Sequence, residues 1–423
     1  MIKRVRALLK QKDKNKLIEN IFSLSVLHAA NYILPLITLP YLVRVLGPEK
    51  FGLIAFAQAF IQYFMMLTDF GFNLSATREI SINRNNKEKV VNIFFSVFAI
   101  KIVLLLLSFL ILLLTVTFFL KFNAERTLYF YTFLSVVGWV MFPQWFYQGI
   151  ENMKFITFFN LGAKLFFTIC IFIFIKTRED YLLLSLLNSF GYILSGMLSL
   201  VLSFKYFKIH FCIPSFSDIR HQFYEGWHVF LSNLAINMYT TSNSVILGIL
   251  TNNVLVGYYS AAEKVFKAFQ YMGIPIYQAL FPHFSKLIVE NRTKAIHLFN
   301  KLFKMTMIIS FTLSLILTFL SPIVVHILLG VNYNPSIAIF SILAWVILAS
   351  LTNYTLGIQG LVNFGYQKIF SKIVLIFSFI HIILIIISIK IFGYLAVPVV
   401  WFLTESAISL VEYRYLKKIN III

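Results

Sequence analysis

Three charged side chains stand together in Gly257-Tyr-Tyr-Ser-Ala-Ala-Glu263-Lys264-Val-Phe-Lys267-Ala-Phe269, inside a chain that is otherwise mostly apolar. On a helix, Ser260, Glu263, Lys264, Lys267 and Tyr271 fall at i, i+3, i+4, i+7 and i+11, which is one face, while Val265, Phe266 and Phe269 take the other. An ammonium group at the centre of a bilayer costs roughly 2.5–3.5 kcal/mol on insertion scales, so such a stripe must face water or a partner. In the first arrangement that satisfies this demand, the stripe lines a water-filled cavity between two helix bundles, and Lys264 and Lys267 hold an anionic substrate on its way through. In the second, Glu263 and Lys267 neutralise each other across one turn, or the helix begins near Ala268 and the charges lie at the rim. The cavity is the working expectation.

Few other polar side chains interrupt the apolar segments. Lys101 and Lys164 each lie about ten residues, or about 15 Å, into a helical segment, and Glu405 is at a similar depth. Lys164, Lys101 and Arg78 are candidate cavity cations beside Lys264 and Lys267. Glu263, Asp69, Glu405, His28, Asn233 and Asn237 are candidate coupling or polar cavity groups. Plainer roles stand beside these: Lys101 can snorkel to the interface, Arg78 can set topology, His28 can pack, and an Asn/Thr stripe can bind helix to helix. No catalytic motif is found: there is no phosphate loop, no His-Glu-x-x-His, and no carboxylate pair in a long external loop. Cys170 and Cys212 match neither a metal spacing nor a disulfide framework, and no cofactor is implied.

The elements that position these residues follow from composition. Of 423 residues 60% are hydrophobic and 12% charged, about half the charged share of a soluble domain, so the chain is an all-α polytopic membrane protein. Twelve spans are predicted at 18–43, 52–74, 91–120, 128–148, 156–175, 181–204, 227–250, 255–282, 303–329, 335–361, 371–389 and 394–413. A net charge of +20 points to membrane topology and not to nucleic acid, because the Lys and Arg cluster at span ends. Most flank the termini and the loops after even-numbered spans, which places both termini in the cytoplasm. The expected layout is a basic N-terminus (1–17), a six-helix bundle (18–204), a cytoplasmic linker (205–226), a second six-helix bundle (227–413) and a tail (414–423).

Two short internal repeats, each six spans apart, support two halves related by an axis along the membrane normal. Gln148-Gly149-Ile150-Glu151-Asn152 matches Gln359-Gly360-Leu361-Val362-Asn363. Gly52…Ala57-Gln58…Gln62…Phe64 matches Gly257…Ala262-Glu263…Lys267…Phe269, so spans two and eight should face each other across the cavity.

Trp145-Phe146-Tyr147-Gln148-Gly149-Ile150-Glu151-Asn152-Met153-Lys154 resembles the O-antigen flippases (Wzx-type), polysaccharide transporters of the superfamily that also holds the MATE exporters and lipid II flippases. Leu46-Gly47-Pro48-Glu49-Lys50-Phe51-Gly52, Thr68-Asp69-Phe70-Gly71 with Thr77-Arg78-Glu79, and Glu225-Gly226-Trp227 followed by Gly257–Lys264 resemble other parts of that family, in order. Trp145, Gln148, Gly149 and Glu151 carry the most specific match. The resemblance implies a MATE-like fold of two six-helix bundles and a transporter instead of an enzyme. The implied substrate is a sugar repeat unit on undecaprenyl diphosphate, moved between leaflets of the bacterial inner membrane by alternating access. Proton or sodium coupling and contacts with other polysaccharide-assembly proteins are implied as well. The alternatives are a MATE-like exporter of small molecules, which would want an acidic cavity, and a membrane-embedded glycan polymerase or ligase, which would want a long external loop.

Overall fold

A bilayer core offers no water to backbone amides, so a chain that crosses it repeatedly closes its hydrogen bonds within each segment. The computed structural model does this with helices throughout, and among the described residues there is no strand. Backbone is described for residues 2–271 and 273–422. Side chains are described for Ser23, Leu27 and from residue 30 onward, apart from 32 and parts of 232–239 and 272–283.

Helix α1 (Ile2–Asp69) holds the first two passes, divided at Gly47, whose φ of 70° and ψ of 173° leave the helical region just before Pro48. After a bend at Phe70 and Gly71, α2 (Phe72–Ile82) continues the second pass. The third pass is α3 (Lys87–Phe118), followed by the single turn α4 (Leu120–Asn123). The fourth is α5 (Arg126–Met141) with α6 (Gln144–Gly149), broken at Pro143; α7 (Met153–Phe174) and α8 (Tyr181–Lys205) are the fifth and sixth. The seventh runs through α9 (Phe216–Thr240) and α10 (Ser242–Leu250), the eighth through α11 (Asn253–Tyr271) and α12 (Ile274–Glu290). The ninth is α13 (Arg292–Leu328). The tenth is α14 (Pro335–Tyr354) continued by a π-helical stretch, Thr355–Val362, and α15 (Gln367–Phe392) and α16 (Ala396–Lys418) complete the set.

Two expected loops are shorter than hydropathy implies. Helix α9 starts at Phe216 instead of 227, and α12 and α13 leave only Asn291 between Glu290 and Arg292. Capping explains the difference. The Ser215 hydroxyl accepts from the Asp218 amide at 3.2 Å, and the Asn291 side chain accepts from the Lys294 amide at 3.0 Å, so polar turns extend the helices past their apolar runs.

The chain divides into two compact units, residues 1–34 with 60–233, and residues 35–59 with 234–423. In each, packing inverts the pattern of a soluble protein. Helix α8 buries Ser185, Ser189, Ser195, Ser199 and Ser203 while exposing Met197, Leu198 and Val201; α13 buries Thr306, Ser310, Ser314 and Ser321 while exposing Ile308, Phe319 and Ile323. Small residues let backbones approach, and their hydroxyls find carbonyls across the contact: Ser189 donates to Tyr131 O at 2.6 Å and Ser314 to Ala344 O at 2.6 Å. Large apolar side chains are left for lipid.

Candidate functional site

Helix α11 carries the charged stripe. It begins at Asn253, so Glu263 stands ten residues inside it. Val265 and Phe266 are fully buried on the far face, with Phe266 edge-on to Trp401 at 5.4 Å. Glu263 is buried; its Oε1 lies 2.9 Å from Lys267 Nζ, and its Oε2 accepts weakly from Ser244 at 3.5 Å. The neutralising pair is therefore formed. Lys264 has a different partner: its ammonium sits 4.8 Å from the centroid of Phe51, in the helical stretch that follows Pro48. One carboxylate stands among two ammonium groups, so this turn carries a formal positive charge on the polar face of α11, while Val265 and Phe266 make its other face apolar.

Deeper in the same unit lie two polar nodes. Fully buried His381 joins α15 to its neighbours, with Nδ1 2.8 Å from Thr404 Oγ1 and Nε2 2.8 Å from Asn243 Oδ1. Glu405 accepts from Asn353 Nδ2 at 2.6 Å and from Trp401 Nε1 at 3.4 Å. Two turns further along α16 is Glu412, fully buried, with neither carboxylate oxygen hydrogen-bonded among the described residues. The π-helical stretch reaches it through Gly357, where an added Cβ would lie 2.8 Å from Glu412 Oε1. π-Helical turns are rare and concentrate where a helix is bent to a functional purpose.

The first unit holds the other candidates apart from Asn237. Buried Lys101 interacts electrostatically with Asp69, which also accepts from Asn73 Nδ2 at 2.6 Å. Lys101 is buried and Asp69 half-buried. Lys164 is half-buried and donates to Asn31 Oδ1 at 2.5 Å. Arg78 lies on an exposed face of α2. The side chains of His28 and Asn233 fall outside the described residues, and Asn237 is half-buried in α9.

The Trp145–Glu151 motif is a packing knot. Trp145 is fully buried, Thr77 Oγ1 donates to its carbonyl at 3.2 Å and to Gln148 Oε1 at 3.3 Å, and Gly149 gives room to Ile80, whose Cβ would be 2.6 Å from an added methyl. Tyr147 donates to Ser199 O at 2.6 Å, and Glu151, at φ +58°, pairs with Arg84 at 2.5 Å. Its repeat partner acts alike: Gln359 Nε2 donates to Tyr277 O at 2.8 Å. In both halves this glutamine ties down the helix that continues span two or span eight.

His381 and Glu412 were not among the sequence candidates. An isolated His within Phe379–Ile387 was the available signal for the first. Glu412 stands one residue before the end of the span predicted at 394–413, where hydropathy does not single it out.

Comparison with known proteins gives a consistent result. Residues 17–288 match the family described as "Polysaccharide biosynthesis protein". The "Putative O-antigen transporter" of Escherichia coli (strain K12) is 32% identical over 413 residues, covering 97% of this chain and 99% of that protein. The protein of the same name from Shigella dysenteriae is 29% identical over 371 residues, covering 86% and 91%. In fold, the chain is similar to a multidrug resistance MATE family transporter of the MOP superfamily in its inward-facing conformation (TM-score 0.72, 12% identity, 92% of this chain and 94% of that one). It is also similar to the lipid II flippase MurJ in an inward closed conformation (TM-score 0.66, 15% identity, 95% and 87%).

Proposed function

The chain belongs to the polysaccharide biosynthesis protein family, and from that premise we propose that it is a flippase for an undecaprenyl-diphosphate-linked oligosaccharide. It is a membrane transporter of the MATE-like superfamily and not an enzyme. The cargo is an O-antigen repeat unit, moved from the cytoplasmic to the periplasmic leaflet of the bacterial inner membrane by alternating access, with both termini cytoplasmic.

The observation that carries this reading is Lys264, on the polar face of α11 over the Phe51 ring and beside the Glu263–Lys267 pair. A diphosphate and its sugars cannot shed water into hydrocarbon unaided, because every desolvated charge and hydroxyl needs a substitute partner. Lys264 and Lys267 supply ammonium groups for the diphosphate, with Lys164 as a further cation. The Phe51 ring holds the Lys264 charge in place without neutralising it, so the ammonium stays available to an anion. The polyprenyl tail remains in lipid throughout, and the step needs no covalent chemistry.

Coupling to a proton or sodium gradient completes the proposal. Asp69, Glu263 and Glu405 are the acids of interest, and Glu412 joins them because a buried carboxylate without a hydrogen bond marks a place where a cation could be taken up.

The test is charge reversal. A strain lacking this protein is complemented with the Lys264→Glu, Lys267→Glu double variant, with membrane expression checked, and surface glycan is measured. Loss of glycan at normal expression is expected; full glycan overturns the assignment of these lysines. Sensitivity to toxic organic cations, measured in the same strains, separates the flippase from a small-cation exporter.

A further inference from the structure

Within the first unit, the start of α9 lies along α3 and encloses a groove of about 520 Å³. Its walls are Ala99, Ile100, Val103 and Leu104 from α3 and Phe216, Ile219, Phe223 and Tyr224 from α9, with Arg220 as the one charged lining residue. We infer that this groove binds an anionic phospholipid, one acyl chain lying against the apolar walls and the headgroup phosphate on Arg220.

Three features support that occupant. The first is charge. The Arg220 guanidinium stands 5.5 Å over the Tyr224 ring, and no ion pair or hydrogen bond engages it among the described residues. Two acids at this end of α9, Asp218 on it and Glu79 against it, are already committed. Asp218 accepts from Ser215 Oγ at 2.6 Å and from Asn92 Nδ2 at 2.9 Å, while Glu79 holds His221 at 2.7 Å and also Gln222. Hydrogen bonding from Ser215 and Asn92 keeps the Asp218 carboxyl below its usual range, so it stays an occupied anion. A planar guanidinium with open donors beside an apolar slot matches a phosphate on a hydrocarbon chain.

The second feature is position. Tyr206, Phe211, Ile213, Phe216, Tyr224 and Trp227 are all exposed, the first four at 67%, 77%, 81% and 79%, and Lys205 and Lys208 stand among them. Aromatic rings interleaved with cations mark the headgroup level of a membrane. The third is rigidity. The Asn92–Asp218 and Glu79–His221 contacts pin α9 to α2 and α3, and Phe70 stacks on Phe223 at 4.7 Å and on Phe230 at 4.9 Å. The groove is therefore formed before anything enters it, which lowers the ordering cost of binding. Neither the lysines of α11 nor the flippase reading enters this argument.

The experiment uses the full chain, purified in detergent and equilibrated with equal amounts of phosphatidylglycerol and phosphatidylcholine, then weighed intact by native mass spectrometry. One tightly held phosphatidylglycerol per chain is expected, in preference to phosphatidylcholine. Arg220→Ala should lower its retention about fivefold, the scale of one basic side chain near an anionic headgroup, and Arg220→Lys should restore part of it. Val103→Trp should fill the groove and expel both lipids while Arg220 remains. Equal retention of the two lipids, or no change in Arg220→Ala, would mean annular lipid only and would overturn the proposal. Displacement of phosphatidylglycerol by an added isoprenoid diphosphate at equal concentration would overturn the choice of occupant. Thermal melting of each variant keeps a folding defect apart from a binding defect.

Discussion

Gly52 and Gly257, equivalent positions of the internal repeat, lie backbone against backbone. A methyl built on Gly52 would fall 2.5 Å from the Gly257 nitrogen and 1.8 Å from Asn253 O, and one on Gly257 would fall 2.0 Å from Pro48 O. Spans two and eight thus touch directly at this level, backbone on backbone, where the repeat led to the expectation of a cavity between them. The contact brings the stretch after Pro48 beside α11, and that is how Phe51 comes to lie under Lys264.

Alanine at either glycine should therefore be severe. The obstructing atoms are backbone, so relief requires moving a helix, and overpacking of that kind costs about 3 kcal/mol or more. Gly257→Ala and Gly52→Ala should each lower the thermal midpoint or the folded yield sharply. Gly162→Ala, in α7 with open space around it, should be neutral or slightly stabilising. Equal midpoints for Gly162→Ala and Gly257→Ala would contradict the close approach.

The Phe51 ring offers a finer probe of the charged turn. Phe51→Leu keeps apolar volume but removes the ring face, which is worth roughly 0.5–2 kcal/mol to a nearby cation. Folding should survive, and surface glycan should fall several-fold, while Phe51→Trp should retain it. Glu263→Gln should behave differently, because it releases Lys267 from its pair at 2.9 Å and leaves the turn more positive. Tighter substrate retention and slower turnover in reconstituted vesicles are expected from it.

Glu412 makes a prediction of the opposite kind. A side chain whose oxygens make no hydrogen bond loses none when it becomes an amide, so Glu412→Gln should leave the midpoint unchanged or raise it. Transport driven by an imposed ion gradient should nonetheless drop, while downhill exchange of substrate continues. Unaltered gradient-driven transport in vesicles would remove Glu412 from the coupling set. Glu405→Gln loses charge-assisted bonds from Asn353 and Trp401 and should cost about 1–3 kcal/mol of stability as well.

The sequence was most legible where one physical demand dominates. Apolar length marked the spans, and the resemblance of Leu46-Gly47-Pro48 to a family turn fits the break that Gly47 makes within α1. Pairings were less legible. The electrostatic interaction of Lys101 on α3 with Asp69 on α1 depends on the rotation of each helix about its axis, which periodicity in so uniformly apolar a segment does not set. The π-helical stretch left no trace in composition, since Thr355–Val362 reads as an ordinary continuation of span ten. Glu263–Lys267 could be seen as a possible pair from its i, i+4 spacing, but Phe51 under Lys264 could not, because more than 200 residues separate them.

A last prediction concerns the turn between α7 and α8, outside the membrane. Asp180 Oδ2 accepts from the amides of Lys176 at 2.9 Å and Thr177 at 2.7 Å and from the Thr177 hydroxyl at 3.0 Å, closing a capping box. The Lys176 amide first, then the Thr177 amide and hydroxyl, favour the carboxylate and hold its pKa below the ordinary 3.8. A carboxyl whose folded value is depressed stabilises the fold fully above the unfolded value, and the benefit is lost as pH falls through the folded one. The difference in thermal midpoint between the natural chain and Asp180→Ala should therefore be constant from about pH 7 down to about pH 5 and shrink below about pH 4. Because the carboxylate is solvent-exposed the difference should be small, and a Thr177→Val variant should show the same trend with a smaller amplitude. A gap that stays constant into strong acid would show that the cap does not depend on the charge.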